Sequence, residues 1–218
     1  MRKKKHYLFS LRRSDSVSCQ IKIGNIYMKS LKTMDEAIIW YKKASESGDS
    51  NSSYKIAQIY MDLGYNEEAK KYFEIATSKN NINAYIYLGK LYFDEGKYEE
   101  AKRYFEIPAN DANTYSEHML GLIYDIHYKE YDDAKYWYEK SRSKKCIESI
   151  YNLGLLNLRL KEYNEAEKYF KEGLRSDDSR CEYMLAWLYY KKSLDMYTSL
   201  GNKDYEDSKD ILSKMPKF

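Results

Sequence analysis

Residues that interrupt helices and residues that build covalent or metal-bound folds are both scarce in this chain. Its 218 residues include two prolines, nine glycines and three cysteines. So few helix breakers favour a helix-rich fold over a loop-rich or all-β one. Three cysteines without a Cys-x-x-Cys pair give neither a disulfide framework nor a common zinc site, and they favour a reducing compartment. The sequence therefore predicts a helical, cytoplasmic chain.

Long apolar runs and catalytic motifs are missing as well. Apolar segments such as 153–156 are far shorter than the ~20 residues that a membrane helix needs, so no membrane partner is predicted. The chain contains no glycine-rich phosphate loop and no GxSxG element. Its three histidines, His6, His118 and His127, lack the spacing of metal ligands. We expect no catalytic residues, no metal and no cofactor.

Charge is concentrated at the N terminus. The whole chain carries a formal net charge of +3, whereas residues 1–16 alone contain six basic residues and one acid. We predict that this basic N-terminal segment is separate from the rest, and its apolar run is too short for a secretion signal. It reads either as a contact to nucleic acid or another acidic surface, or as a solubilising tail. No basic stripe continues it, which favours the tail.

What the chain does contain is a repeat of 32 or 33 residues. A small residue marks the middle of each copy, and a large aliphatic residue stands directly before it. The small residues are Gly24, Ala57, Gly89, Gly121, Gly154 and Ala186. Each copy, as in 84–109, has two stretches with apolar residues at helical spacing around a short turn. A period kept over five intervals predicts an all-α solenoid of about six antiparallel helical hairpins.

The second helix of each copy has its own columns. Its small residues are Ala37, Ala69, Ala101, Ala134 and Ala166. Two aromatic residues follow, Trp-Tyr in repeats 1 and 4 and Tyr-Phe in repeats 2, 3 and 5. Small residues let two helices approach closely, and large ones fill the space beside the crossing. We interpret these columns as packing without chemistry.

Four departures interrupt the pattern. Repeats 1 and 4 have one extra residue, which we place in the loop between their two helices. Pro108 is expected to end or bend the second helix of repeat 3. Asn157 replaces the tyrosine that the other repeats carry at its position. Repeat 6 contains about ten inserted residues, expected to lengthen its first helix to Gly201, and reads as a modified capping repeat.

These columns resemble the tetratricopeptide repeat, with a small residue and a Tyr in the first helix and an Ala opening the second. Repeats 1 and 4 resemble the related Sel1-like repeat because of their Trp-Tyr pairs, and segment 40–44 follows that pattern well. The resemblance covers residues 17 to about 215. It implies a repeat domain over 17–218 that forms a right-handed superhelix. Because such families are mostly scaffolds and adaptors, it also implies a non-catalytic chain that binds a peptide or protein partner.

The concave side of such a solenoid is the expected binding groove. Steps of about 100° place the residues three before, one after and four to five after each small residue opposite the packed stripe. The predicted groove residues are Tyr54, Gln58, Lys90, Phe93, His118, Leu122, Tyr151, Leu155, Arg159, Tyr183, Trp187 and Lys191. Their character suits an extended or helical peptide with apolar anchors. Burial of this face by tight curvature is the alternative explanation.

Two other functions fit the same sequence. A nucleic-acid-associated protein would use the basic head together with Tyr and Arg side chains, and its binding would depend steeply on salt. A dedicated neutralising protein of the immunity type would cover the active site of a single partner. We favour the scaffold over both. The sequence leaves the oligomeric state and the identity of the partner open.

Overall fold

A computed structural model of the chain describes residues 16–31 and 33–201. Within these ranges the chain forms eleven α-helices and two five-residue π-helical turns, and no strand. The described residues belong to two compact units that divide between Ser116 and Glu117. The basic head before residue 16 and the predicted capping sequence after residue 201 lie outside the described residues.

Successive helical hairpins make up both units, and odd-numbered helices are the first helices of repeats 1 to 6. Unit 1 contains α1 (Val17–Ile26) with its continuation π1 (Tyr27–Leu31), α2 (Met34–Glu46), α3 (Ser50–Asp62), α4 (Asn66–Thr77), α5 (Ile82–Asp94) and α6 (Tyr98–Asn110). The division falls in α7 (Thr114–Ile123), which continues as π2 (Tyr124–Tyr128). Unit 2 then contains α8 (Tyr131–Arg142), α9 (Ile147–Arg159), α10 (Tyr163–Leu174) and α11 (Ser179–Gly201).

Each glycine-containing hairpin closes where an aromatic ring of the second helix lies on the small residue of the first. A Cβ added to Gly24 would lie 2.6 Å from the ring of Tyr41, and one added to Gly89 would lie 2.8 Å from that of Phe105. The corresponding glycines of unit 2 are covered in the same way. Because packed carbon atoms do not approach this closely, only glycine lets these rings reach the helix backbone. The packing role of the small-residue column is confirmed.

The extra residue of repeats 1 and 4 lies in the first helix and not in the loop, so that part of the prediction is wrong. In both repeats the end of the first helix widens into a π-helical turn, π1 or π2. A π-turn absorbs one additional residue because its hydrogen bonds span five residues instead of four. The first helices of repeats 2, 3 and 5 lack the extra residue and are α-helical over their described length.

Repeats 1 and 4 carry tyrosine at the second aromatic position of their second helix, where repeats 2, 3 and 5 have phenylalanine. The Tyr41 hydroxyl donates to Asn25 Oδ1 at 2.9 Å, and the Tyr138 hydroxyl donates to Asp125 Oδ2 at 3.4 Å. A buried hydroxyl needs such a partner, and burial raises the pKa of Tyr41 to about 12. In repeats 1 and 4, the tyrosine of the Trp-Tyr pair therefore forms a hydrogen bond with a polar side chain of the first helix or of the π-turn that continues it.

Pro108 does not end the second helix of repeat 3, so that alternative of the prediction is wrong, while a bend stays a prediction. α6 continues through Pro108 to Asn110, and the proline ring is buried. Pro108 lacks one backbone N–H donor, and because it stands in the last turn only Ala109 and Asn110 follow it in the helix. Its ring fills a buried position that Ala76 occupies in the preceding repeat. In repeat 6, α11 reaches Gly201, which confirms the predicted lengthening of that helix.

Candidate functional site

Two adjoining hollows open on unit 1, and most of their lining residues lie on its first helices, with further residues from α2 and α4. The larger has a volume of about 380 Å³ and the smaller one of about 170 Å³. Met61 and Tyr87 line both, so the hollows form one continuous surface. We call it the unit 1 groove, and it comprises Asn25, Met28, Lys29, Lys55, Gln58, Met61, Asp62, Tyr87, Lys90 and Asp94.

Packed aromatic rings support the groove. Tyr87 stacks on Phe73 with ring centroids 5.1 Å apart, and Tyr54 meets Tyr87 edge-on at 5.7 Å. The side-chain amide of Gln58 donates from Nε2 to the Tyr54 hydroxyl at 3.2 Å. Aromatic pairs in these geometries restrict ring orientation beyond what simple burial does. The floor is therefore organised by contacts within the protein itself.

At the repeat 1 end of the groove, Asn25 ties together side chains from two other helices. Its Oδ1 accepts hydrogen bonds from the Tyr41 hydroxyl at 2.9 Å and from Lys55 Nζ at 3.0 Å. Lys55 Nζ also lies 5.1 Å from the centre of the Tyr41 ring. Burial lowers the pKa of Lys55, Asp49 acts against this, and the charge of Lys29 lowers the pKa further. Lys55 is thus a partly buried cation beside an open hollow.

Two of the four groove residues predicted in unit 1 line this surface. Gln58 lines the larger hollow and Lys90 lines the smaller one. Tyr54 lies beneath them as part of the aromatic floor. Phe93 is half-buried, and its ring contacts Tyr98 edge-on with centroids 5.4 Å apart.

In unit 2, the predicted residues that precede each small residue by three pack against the following repeat. His118 is buried, and its Nδ1 lies 2.9 Å from Ser149 Oγ on α9. Tyr151 is half-buried, and the guanidinium of Arg180 on α11 lies 4.7 Å from its ring. Tyr183, on the last described helix, is 71% exposed. In repeats 4 and 5 this position therefore lies in the contact between successive repeats, which agrees with the alternative explanation that part of the face is buried.

The other predicted residues of unit 2 divide between packing and the surface. Leu122 and Leu155 are half-buried, and each packs against a hydrophobic cluster of this unit. Trp187 is 39% exposed.

Both cations that were predicted for the groove in unit 2 form ion pairs within the protein. Arg159 pairs with the buried carboxylate of Asp125, and Lys191 Nζ lies 3.0 Å from Asp195 Oδ1. Their charges are therefore less available to a ligand than their positions suggest.

Sequence reasoning missed two kinds of groove residue. Lys55 and Tyr87 stand two before the small residue, at the border of the packed stripe on a helical wheel, so the 100° rule left them out. Repeat 1 contributes Asn25, Met28 and Lys29, although the prediction named no residue of repeat 1. The signal for these three was present, because they occupy the same positions that the rule selected in the other repeats.

Other reactive groups are explained by packing. Cys181 is fully buried, and burial raises the pKa of its thiol to about 11, as expected for a small core residue. Cys146 Sγ donates to Glu148 Oε2 at 3.4 Å. In the part of the chain that the structure describes, no group of three or more His, Cys, Asp or Glu side chains could hold a metal ion. None of the described helices is both long and apolar enough to cross a membrane.

Solved structures with similar folds are helical-repeat proteins. A protective antigen of uropathogenic Escherichia coli with an SLR fold has a TM-score of 0.68 and 18% identity over 95% of this chain and 50% of its own. A Sel1 repeat protein from Oxalobacter formigenes has a TM-score of 0.63 and 21% identity over 74% of each chain. YrrB, a TPR protein with an unusual peptide-binding site, has a TM-score of 0.58 and 20% identity over 82% of this chain and 93% of its own.

These likenesses confirm the predicted all-α solenoid, while the right-handed superhelix stays a prediction. This chain spans only half the length of the Escherichia coli antigen, so the likeness concerns the shared fold and not that whole protein. Among curated proteins no match is found.

A family model for the tetratricopeptide repeat matches four segments of the sequence. They are residues 17–47, 50–78, 82–106 and 147–180, which together make up more than half of the chain. The matched segments correspond to repeats 1, 2, 3 and 5, and each holds most or all of one helical hairpin. Repeat 4 carries the second Trp-Tyr pair and lies outside them. The chain belongs to the tetratricopeptide repeat family.

Proposed function

We propose that this protein is a non-catalytic scaffold or adaptor that binds a peptide or protein partner through the unit 1 groove. The observation that carries the proposal is the pair of adjoining hollows that share Met61 and Tyr87. Proteins of this repeat family are generally scaffolds, and one structural neighbour is described as having an unusual peptide-binding site. Both points support the proposal.

The chemistry of the groove suits a polypeptide with an apolar anchor and polar flanks. Met61 is 41% exposed and lies between the two hollows. Tyr87 and its supporting ring Phe73 provide an apolar surface beneath it. Lys90 and Asp94 supply charges of both signs at the edge. Apolar centres with a polar rim are typical of protein-binding sites, where a few anchors provide most of the affinity.

The remaining predicted groove residues stay part of the proposal with a smaller role. Tyr183 and Trp187 are exposed on α11 and could extend a binding surface within unit 2. His118 would act only through packing, since its side chain is buried. The nucleic-acid alternative depends on the basic head, which lies outside the described residues, and no described contact favours it. A cytoplasmic location also stays a prediction.

The test is affinity capture from the native lysate with two matched variants. Met61→Arg places a long charged side chain between the hollows. Ile107→Arg makes the same change on α6, at a residue of unit 1 with nearly equal exposure, 42% against 41% for Met61. Circular dichroism and thermal unfolding check that both variants fold. We expect one or a few proteins to be captured by the wild type and by Ile107→Arg, and to be lost with Met61→Arg.

Capture that Met61→Arg leaves unchanged would overturn the use of this groove. Recovery of nucleic acid alone, released by moderate salt, would instead favour the nucleic-acid alternative. A single partner held very tightly through the groove would point to the neutralising role.

A further inference from the structure

The first half of α11 carries the residue pattern of a second helix as well as that of a first helix. Ala186 is the small residue of repeat 6, and Tyr189 follows it by three positions, as a tyrosine does in most first helices. Second helices have an alanine with aromatic residues three and four positions later, and Tyr189 and Tyr190 follow Ala186 in the same way. One helix therefore contains both halves of the contact that closes a hairpin.

The hairpin of α3 and α4 shows how the two halves fit together. Ala57 of α3 and Phe73 of α4 belong to one buried cluster, and Phe73 stands four positions after Ala69, the small residue of α4. Met61, four positions after Ala57, lines the same hollow as Ala69. Each small residue thus lies near the residue that stands four positions after the small residue of the other helix. Because this relation is the same in both directions, an antiparallel pair of identical helices can satisfy it.

In repeat 6 the corresponding face is open. The small residues of repeats 1 to 5 are buried, whereas Ala186 is exposed. Tyr183, Trp187 and Tyr189 beside it are 71%, 39% and 44% exposed. Leu188, on the other side of the helix, is fully buried in a cluster with residues of α10. α11 therefore packs on the preceding helix with one side and presents aromatic rings around a small residue on the other.

The length of α11 separates Ala186 from the point where the chain leaves the helix. α3, α5 and α9 end five residues after their small residue, as Asp62 follows Ala57 in α3. α11 continues for 15 residues beyond Ala186, to Gly201. At 1.5 Å per residue, the end of the helix lies about 22 Å from Ala186. A short turn after α11 therefore does not return the chain to Ala186 as it does in the other repeats.

We propose that two copies of this chain associate through this face of α11, with the two helices antiparallel. Ala186 of each copy then lies beneath Tyr190 of the other. The two Tyr189 rings meet near the twofold axis, as the rings of Tyr60 and Tyr72 stack between α3 and α4 with centroids 5.6 Å apart. An interface in which both copies use the same patch closes at two copies.

This surface lies in unit 2, so the inference goes beyond the proposed function, which concerns the unit 1 groove. The association removes the exposed rings of Tyr183 and Trp187 from water, which favours it. A single pair of helices is a small interface by the standards of stable dimers, so we expect a reversible dimer.

Sedimentation velocity of the full chain over a range of concentrations measures the association. We expect the share of dimer to rise with concentration. Ala186→Arg places a long charged side chain where the contact needs a small one, and should weaken the association about tenfold or more. Because Ala186 is exposed, this variant should keep the helicity and the unfolding temperature of the wild type. Tyr136→Arg, which changes a 58% exposed aromatic residue of α8 in the same unit, is the control and should leave the association unchanged.

A mixture of two variants tests the antiparallel arrangement. Ala186→Glu and Tyr190→Lys should each weaken the association of their own chain, because both symmetric contacts are altered. A mixed dimer retains one unaltered contact between Tyr190 and Ala186 and gains an ion pair at the other. The mixture should therefore associate more strongly than either variant alone, and an equally weak mixture would overturn the proposed pairing.

Three further results would overturn the inference. One is a chain that stays monomeric at every concentration, and a lower unfolding temperature of Ala186→Arg would then show that the same chain covers this face. Another is a dimer that Ala186→Arg leaves intact and Met61→Arg abolishes, which would place the association in the unit 1 groove. The third is a monomeric chain that captures a different protein and loses it with Ala186→Arg.

Discussion

The two units join their repeats with different chemistry. In unit 1 aromatic rings from neighbouring repeats meet, as when Tyr87 of repeat 3 stacks on Phe73 of repeat 2. In unit 2 charged side chains make the connection, as when Arg142 of repeat 4 donates from Nη2 to Glu172 of repeat 5 at 2.7 Å. Both kinds of contact add to the hydrophobic packing that joins neighbouring repeats in each unit.

This difference bears on function as well as on stability. Charges that pair across repeats in unit 2, such as Arg159 with Asp125, are already neutralised. In unit 1, Lys55 and Lys90 line hollows and form no ion pair with the carboxylates that the structure describes. A surface whose cations are not used internally can offer them to a ligand. The comparison thus supports the proposal that recognition lies in unit 1, and the following predictions test the difference in stabilising contacts between the two units.

The largest effect is expected from removing a ring in unit 1. Phe73 is 2% exposed and supports both Tyr54 and Tyr87, so Phe73→Ala should cost about 3–5 kcal/mol of unfolding free energy. The loss should be the same at low and high salt. Urea unfolding measures it, with the exposed Ile39→Ala as control. A loss under about 1 kcal/mol would show that stacking does not hold unit 1 together.

In unit 2 the corresponding change removes a cation. Glu117 is fully buried, and Lys144 Nζ lies 2.6 Å from both of its carboxylate oxygens, with Lys140 Nζ at 3.6 Å. Lys144→Ala leaves the buried carboxylate with only the more distant lysine, and should cost about 3 kcal/mol.

The control for this prediction is an exposed ion pair in the same unit. Lys168 has a side chain that is 65% exposed and pairs with Glu165 at 3.3 Å. Lys168→Ala should change stability by less than about 0.5 kcal/mol. Equal effects of the two substitutions in urea unfolding would contradict the role given to the buried pair.

A smaller, stabilising effect is expected at Asn157, the residue that replaces the tyrosine found at this position of the other first helices. In unit 1, Tyr92 stacks on Tyr104 with centroids 5.3 Å apart. In repeat 5 the equivalent of Tyr92 is Asn157, which is fully buried, donates from Nδ2 to Leu153 O and has no partner for Oδ1. Asn157→Leu removes this unsatisfied oxygen and should raise the unfolding free energy by about 1 kcal/mol. A destabilised variant would show that the amide has a role of its own.

The smallest effect concerns pH. Burial lowers the pKa of His118 below its usual 6.5, Glu148 acts against this and Arg180 with it. The unfolded chain therefore binds the proton more readily, and stability due to neutral His118 is lost as the pH falls below about 6.5. Unit 2 should lose protection from hydrogen exchange at mildly acidic pH before unit 1 does. His118→Gln should remove this difference, and an unchanged difference would exclude His118 as its cause.

Periodicity in the sequence predicted the hairpins because a helix that packs on one face repeats its apolar residues every few positions. The small residues at Gly24 and Gly89 could be assigned to close packing on the same basis, and the rings of Tyr41 and Phe105 lie where this predicts. The extra residue of repeat 1 was assigned to the wrong place, because a pattern of spacings does not distinguish a longer loop from a π-turn.

The candidate site was predicted only in part. Gln58 and Lys90 could be found because their positions face away from the packed stripe of their own helix. His118 and Tyr151 could not be excluded, because their burial depends on the next repeat and a helical wheel treats each helix alone. The contacts of Lys55 with Asn25 and with the Tyr41 ring involve three helices, so no local pattern reveals them.

Hydrogen exchange of the intact chain, with and without a saturating amount of the partner captured from the lysate, tests the central claim most directly. If the partner binds in the unit 1 groove, amide exchange should slow in the second halves of α3 and α5, which carry Gln58, Met61 and Lys90. Exchange in α8 and α10 of unit 2 should stay as it is. Slower exchange confined to unit 2, or to the second helix α6, which lines neither hollow, would contradict the account.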